Sequence, residues 1–372
     1  MSRSIRCVMM RGGTSKGVYL DERSLPRGDE ERDVAILAIF GSPDSRQIDG
    51  IGGADPLTSK VCILGPPPKQ GDAHLSYTFG QVGISKPHVD YHGLCGNLTA
   101  GVGAYAVWER WVEAVDPITT VRIYNTNLDS ILTCEVPVKN GLPLEHGNYS
   151  IPGVPRTGSR IQIDFADTAG QSAGGLLPTG NAMDVLSVPG VGEINVSLVD
   201  IGNAHVFVEA ERFGLYGDES AAVVNSNVER LTQLEKVRAF AGARLGLLDD
   251  PDNAIATSPA TPMIVLVAPA GNQDAELTKQ CDVKARLIFM QRAHKAFAAT
   301  STVCTGIASR IPGTLVNKVT SNKEQPNVRI SHPAGVIETE SVIQTLSAGG
   351  YRVTRATLGR TARRLFVGDV YY

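Results

Sequence analysis

Two periodicities alternate along this chain. Runs of β-branched or alternating apolar residues, bounded by Gly, Pro or Asn, predict strands over 76–82, 120–125, 132–138, 161–165, 193–200, 263–268, 327–331 and 351–356. Helical spacing of apolar positions predicts helices over 32–40 and 227–247. Two more helix-like stretches open at Cys95-Gly-Asn, running to about Val112, and at Cys304-Thr-Gly, running to about Val319. The strands do not alternate regularly with the helices. The expected class is therefore α+β, with helices cradled by curved, mostly antiparallel sheet.

The pattern repeats. Gly13-Thr-Ser-Lys-Gly-Val-Tyr-Leu-Asp-Glu22 echoes Ile201-Gly-Asn-Ala-His-Val-Phe-Val-Glu-Ala210 at an offset of 188 residues. In both, a polar turn carrying glycine leads into an alternating strand. Gly28-Asp-Glu30 recurs as Gly217-Asp-Glu219, and the Cys95 opening recurs at Cys304 with an offset of 209. These echoes predict a duplicated unit with a boundary in the 178–187 region. The expected domains are 1–187, carrying Lys60 and Cys95, and 188–372, carrying Cys304, with the last strand free to return to the first.

Composition narrows the class. The 372 residues are 42% hydrophobic and 20% charged, as a folded core requires, and 39 glycines with 21 prolines call for many turns. A formal charge of −3 argues against a nucleic-acid partner. No apolar run approaches the roughly 20 residues that span a bilayer, and the first residues lack a signal peptide's apolar core, so the expected location is cytoplasmic. The six cysteines include no C-x-x-C pair, which removes zinc-ribbon and thioredoxin readings. His88 and His92, on an extended segment, would stand about 13 Å apart, too far to share a metal. Neither metal nor cofactor is expected. A homodimer is the default assembly.

Four glycine-rich segments carry the candidate chemistry: 10–17, 49–60, 93–97 and 301–306. Glycine lets backbone N–H groups approach a ligand, and a helix opening after such a turn presents unsatisfied donors and a positive dipole end to an anion. A P-loop is a poor match, because Lys16 and Lys60 follow the hydroxyls that they should precede. Carboxylates are the better anion. Cys95, at a predicted helix start, is a candidate acid–base thiol, and Cys304 is a possible second thiol in the other half. Two thiols on facing helix starts would suit a racemase or epimerase. Lys60 competes as the base, since it stands where a turn enters an apolar strand, an unusual place for an idle lysine.

These segments resemble the PrpF family, within the wider diaminopimelate-epimerase-like fold. The matching residues are Met-Arg-Gly-Gly-Thr-Ser-Lys-Gly (10–17), Gly-Ser-Pro-Asp-Ser-Arg-Gln-Ile-Asp-Gly (41–50), Gly-Gly-Ala-Asp-Pro-Leu-Thr-Ser-Lys (52–60) and Cys-Gly-Asn (95–97). Leu-Pro-Thr-Gly-Asn (177–181), Cys-Thr-Gly with Arg-Ile-Pro-Gly-Thr (304–314) and His-Pro-Ala-Gly-Val-Ile (332–337) extend the resemblance over the chain. Gly202-Asn-Ala-His205 is similar to the fold's Gly-Asn-Pro-His turn, with Ala204 where proline is usual.

The resemblance implies two pseudo-symmetric domains, each a curved sheet around a central helix, with the active site between them. It also implies a cofactor-independent isomerase that moves a proton across an allylic system in an unsaturated di- or tricarboxylic acid. Methylitaconate, methylaconitate and aconitate are the substrate candidates, with a preference for the first two. The reacting pair it implies is Lys60 and Cys95. The N–H groups of Gly96, Asn97, Thr305 and Gly306 are the expected donors to a developing negative charge. Arg11, Gly13, Thr14, Ser15, Lys16, Ser59, Arg310 and His332 are the expected substrate-binding residues. Two alternatives stay open: a racemase or epimerase using Cys95 and Cys304, and a non-catalytic protein that holds a polycarboxylate.

Overall fold

A computed structural model describes residues 3–69, 71–271, 280–347 and 349–372. The chain divides into two compact units, Met1–Ile163 with Gly359–Tyr372, and Asp164–Leu358. The first unit closes earlier than the 187/188 boundary expected from the repeat. From Asp164 onward the backbone bonds to strands of the second unit: Phe165 N–H to the Ala356 carbonyl, Gly170 N–H to the Asp200 carbonyl, and Asp200 N–H to the Leu176 carbonyl.

Unit 1 is built on strands β1 (Ser4–Gly12), β2 (Ser15–Asp21), β3 (Lys60–Gly65), β4 (Leu75–Val82), the short β5 (Val89–Asp90), β6 (Ile118–Asn125) and β7 (Ser130–Lys139). Leu142–Pro143 forms β8 and Ile161–Asp164 forms β9. β1–β2 is antiparallel, β2–β3 parallel, β3–β4 antiparallel, β4–β6 parallel and β6–β7 antiparallel. The C-terminal strand β19 (Ala362–Tyr371) lies antiparallel against β1.

Helix α1 (Asp29–Phe40) starts with three acids in its first turn, which suits the positive end of the helix dipole, and stops at Gly41 in the left-handed conformation. Its Ile36, Ile39 and Phe40 pack with Val18, Leu20, Val61 and Ile63 on one sheet face. Helix α2 (Gly96–Trp108) is buried on nearly every side, and contacts β1, β2, β6 and β7. A sheet covered on both faces needs continuous apolar strands, and all six residues of β3 are buried.

Unit 2 repeats this plan with β10 (Asp184–Val188), β11 (Gly192–Ile201), β12 (Asn203–Glu209), β13 (Met263–Pro269), β14 (Val283–Phe289), the short β15 (Arg292–Ala293), β16 (Asn327–His332), β17 (Gly335–Thr345) and β18 (Tyr351–Arg360). From β11 to β17 the pairings run antiparallel, parallel, antiparallel, parallel, antiparallel. That is the order of unit 1. Helix α3 (Val228–Arg244) occupies the place of α1, and helix α4 (Ala299–Arg310) that of α2. β11 and β12 begin 188 residues after β1 and β2, the offset read from the sequence.

No described helix is long and apolar enough to cross a membrane. The six cysteines are buried free thiols.

Candidate active site

The β1–β2 hairpin turns on Gly13 and Thr14, with Gly12 paired to Ser15. Gly13 has φ +51°, and a Cβ there would lie 2.1 Å from Asn97 Oδ1. Glycine is required on both counts, strain and space. The turn is thereby pressed against the start of α2, where Asn97 Nδ2 donates to Thr14 Oγ1 at 3.1 Å. Arg11 turns its guanidinium back on this turn: Nη1 donates to the carbonyls of Gly13 and Thr361 at 3.0 and 2.8 Å. Ser15 is buried and Lys16 half-buried, its N–H bonded to the Leu57 carbonyl.

Cys95 is the N-cap residue of α2, with extended backbone angles and 8% exposure. Its carbonyl accepts the first helical bond, from Thr99 N–H, and a second from Thr99 Oγ1. The N–H groups of Gly96, Asn97 and Leu98 therefore have no acceptor within the helix.

Lys60 opens β3 and is 4% exposed. Its cross-strand partner is Gln81, whose Oε1 accepts from Lys60 Nζ at 2.6 Å, and Nζ stands 5.0 Å from the centre of the Phe79 ring. Gln81 places both amide hydrogens elsewhere, on the carbonyls of Pro56 and Ser59, which fixes its oxygen toward the lysine. Burial pulls the Lys60 ammonium below its ordinary pKa, while the charges of Cys95, Cys62 and Asp55 oppose that fall. A buried amine with a lowered pKa, within electrostatic reach of a thiol at a helix start, can take a proton from one carbon and return one to another.

The loop before β3 is organised by Gln47. Its Oε1 accepts from Ala54 N–H and Ser59 Oγ, both at 2.8 Å, and its Nε2 donates to Ser42 Oγ. The glycines of 49–60 are needed for packing: a Cβ on Gly50 would stand 2.1 Å from Gly41 N. Ser59, expected as a substrate ligand, is fully buried on Gln47.

In the second half the helix start differs from the one expected. Cys304 does not open a helix. α4 begins at Ala299 with Ala298 as its N-cap, and Cys304 sits a turn further in, fully buried, its Sγ 3.6 Å from the Val199 carbonyl. Burial pushes its thiol well above the ordinary range. The N–H groups of Thr305 and Gly306 lie in the body of the helix and are not terminal donors. The offset from Cys95 leads to Ala298, at 203 residues, which is also the offset from Lys60 to Met263. Three-residue similarity had aligned Cys304 six residues out of place. Arg310 ends α4, about 16 Å from its start. It donates to the carbonyls of Asn322, Gln325 and Asn327, closing a loop. His332 is buried on β16, stacked on Phe297 at 6.1 Å.

Three residues of unit 1 escaped the sequence reading. Gln81 carries no motif, Gln47 lies in the 41–50 segment without having been given a role, and only strand register and loop folding bring them to Lys60. Arg360 lies 300 residues after Lys60 in the chain, and donates from Nε to Asn97 Oδ1 at 2.7 Å. An open groove of about 540 Å³ lined by His74, Trp111, Glu113 and Thr120, among others, shares no residue with this cluster.

The family model described as PrpF protein matches residues 2–372. The chain belongs to the PrpF family. It is 46% identical to 3-methylitaconate isomerase of Eubacterium barkeri, covering 99% of this chain and 97% of that one. It is 36% identical to 2-methyl-aconitate isomerase of Shewanella oneidensis, covering 98% and 96%. Among solved structures, a methylitaconate Δ-isomerase superposes with a TM-score of 0.80 at 46% identity, covering 100% of this chain and 96% of that one. A hydroxyproline epimerase from Agrobacterium vitis superposes with a TM-score of 0.58 at 11% identity, over 99% and 93% of the two chains. At that identity the likeness speaks for the fold alone. The fold of this PrpF member is diaminopimelate-epimerase-like, α+β as expected.

Proposed function

We propose that this PrpF protein is a cofactor-independent isomerase that shifts a proton across the allylic system of a small unsaturated di- or tricarboxylic acid, with Lys60 and Cys95 as the acid–base pair. The observation that carries the reading is Lys60 itself. It is a buried amine bonded to the amide oxygen of Gln81, and the charge of the thiol that caps α2 bears on it. The named relatives, isomerases of methylitaconate and methylaconitate, support the reaction class and make those acids the first substrates to test.

In this reading one group removes the proton γ to a carboxylate, across the C=C bond. The electron pair delocalises into an extended dienolate, whose charge is met by the N–H groups of Gly96, Asn97 and Leu98. The other group returns a proton to the α carbon, and the double bond has moved. Which group is acid and which is base depends on direction. Thr14, bonded to Asn97, stands beside the helix start as a further substrate ligand, and Lys16 follows two residues on in β2.

Proton NMR in D₂O, with itaconate, methylitaconate, cis- and trans-aconitate and 4-oxalomesaconate, tests this. Deuterium should enter an allylic position as the double bond moves, and Lys60→Ala and Cys95→Ser should each lower the rate roughly 10²- to 10⁴-fold. Binding of an acid with no exchange into it would overturn the isomerase and leave a holding protein.

A further inference from the structure

The most deeply buried cation at the start of α2 is not one that any motif marks. Arg360, the last residue of β18, has 0% exposure. Its Nε is bonded to Asn97 Oδ1 at 2.7 Å and its Nη1 to the carbonyl of Gly359 at 3.0 Å. Its Nη2 is buried with no acceptor among the described residues. A Cβ on Gly13 would meet Arg360 Cδ at 2.9 Å, so the side chain lies directly behind the β1–β2 turn. The groups whose charge bears on the guanidinium are the Tyr149 hydroxyl and the Cys95 thiol. Burial lowers its pKa to about 10, which leaves it charged at neutral pH.

Burying a guanidinium without an anion is costly, and such a group is paired with a carboxylate, phosphate or similar partner in most folds. Here no protein carboxylate fills that place among the described residues. The same corner offers the three unbonded N–H groups at the first turn of α2, and Thr14. We propose that Arg360 is a substrate-binding residue, donating from Nη2 to one carboxylate of a di- or tricarboxylic acid seated against the first turn of α2 beside Cys95. This rests on the Lys60–Cys95 reading for the reaction, but not for the binding.

The test uses the full chain and tricarballylate, a saturated tricarboxylate, with crotonate as the single-carboxylate control. Arg360→Met should weaken tricarballylate inhibition roughly 10- to 100-fold and raise KM similarly, with kcat at saturation changed only a few-fold. Crotonate binding should change much less. Arg360→Lys should recover part of the loss. The pH dependence of Cys95 alkylation by iodoacetamide, followed alongside, should move upward slightly, because the guanidinium and thiol charges interact. Asn97→Asp gives a second arm if the Arg360 variants do not fold, because it supplies a permanent anion to the guanidinium, and it should weaken tricarballylate as well. Unchanged tricarballylate inhibition in Arg360→Met, or in Asn97→Asp, overturns the proposal. So does an unchanged inhibition constant with a displaced alkylation profile, which would make Arg360 a regulator of the thiol. If the unaltered protein turns over no acid yet binds tricarballylate through Arg360, the isomerase reading falls and the clamp stands.

Discussion

Units 1 and 2 have the same strand order and the same buried helix, and differ at the first turn of that helix. In unit 1 the cap is Cys95, the residue opening β3 is Lys60, and the neighbouring guanidinium of Arg360 has a donor with no acceptor among the described residues. In unit 2 the cap is Ala298 and the residue opening β13 is Met263. There the polar side chains satisfy one another. Asn203 Nδ2 donates to Thr300 Oγ1 at 3.2 Å, and His205 Nε2 lies 2.9 Å from Ser301 Oγ. His205 Nδ1 faces the Asn203 carbonyl at 2.8 Å and must donate to it, so Nε2 accepts from the serine. A duplicated fold therefore supplies two helix termini, but the buried lysine and the capping thiol stand on one. Function resides in the residues grafted on the terminus and not in the terminus itself.

The sharpest way to break this comparison is to exchange its two cysteines for serine. Cys95→Ser should lower isomerisation roughly 10²- to 10⁴-fold, whereas Cys304→Ser, buried in the middle of α4, should keep kcat within about threefold of the unaltered protein. A two-thiol enzyme would lose both. The assay is the D₂O exchange rate with the best substrate found.

Next in size is the acid stability of unit 2. Burial holds His205 neutral, with its pKa lowered from 6.5 to about 4. Below pH 6.5 the unfolded histidine binds a proton that the folded one refuses, so its contribution to stability falls as pH falls. Asp200, raised to about 6 by burial, works in the opposite sense, and its contribution is lost as pH rises through about 6. The two are separated by His205→Gln. Between pH 7 and 4, the unfolding free energy of the unaltered protein relative to this variant should drop by about 3 kcal/mol in urea titrations. A constant difference would show that folding leaves the His205 pKa where it is in the unfolded chain.

The smallest effect compares the two hairpin turns. Gly13→Ala meets both a positive φ and Asn97 Oδ1, and should cost about 2–3 kcal/mol. Gly202→Ala, at φ +70° with Thr300 no nearer than 3.1 Å, should cost about 1 kcal/mol. Thermal melts of the two variants check the order. Equal losses would mean that the turn of unit 1 is not pressed against α2 as described.

The strands were the legible part. Alternating apolar runs predicted 132–138 and 193–200, and the structure places β7 over Ser130–Lys139 and β11 over Gly192–Ile201. The duplication was legible too, because its first hairpin keeps the same length in both copies. The start of α4 was misread. Residues 299–303 carry no glycine or charged N-terminal signal, whereas Cys-Thr-Gly at 304–306 resembles the helix opening at Cys95. That error moved Cys304, Thr305 and Gly306 from the helix body to its end.

The amino-acid sequence alone determined the class of fold, the repeat, the turn carrying Gly13 and Thr14, and the helix cap at Cys95. These rest on local pattern: periodicity two in a strand, glycine in a turn, a small residue before a helix. Gln81 opposite Lys60 and Arg360 behind Asn97 were decided only by tertiary structure. The first depends on the register of β3 on β4, and the second on the C-terminal segment returning to unit 1 after the whole of unit 2. Hydrogen bonds and buried charges across such separations leave no periodic trace in a sequence. They are set by which strands pair and how closely a glycine lets two backbones approach.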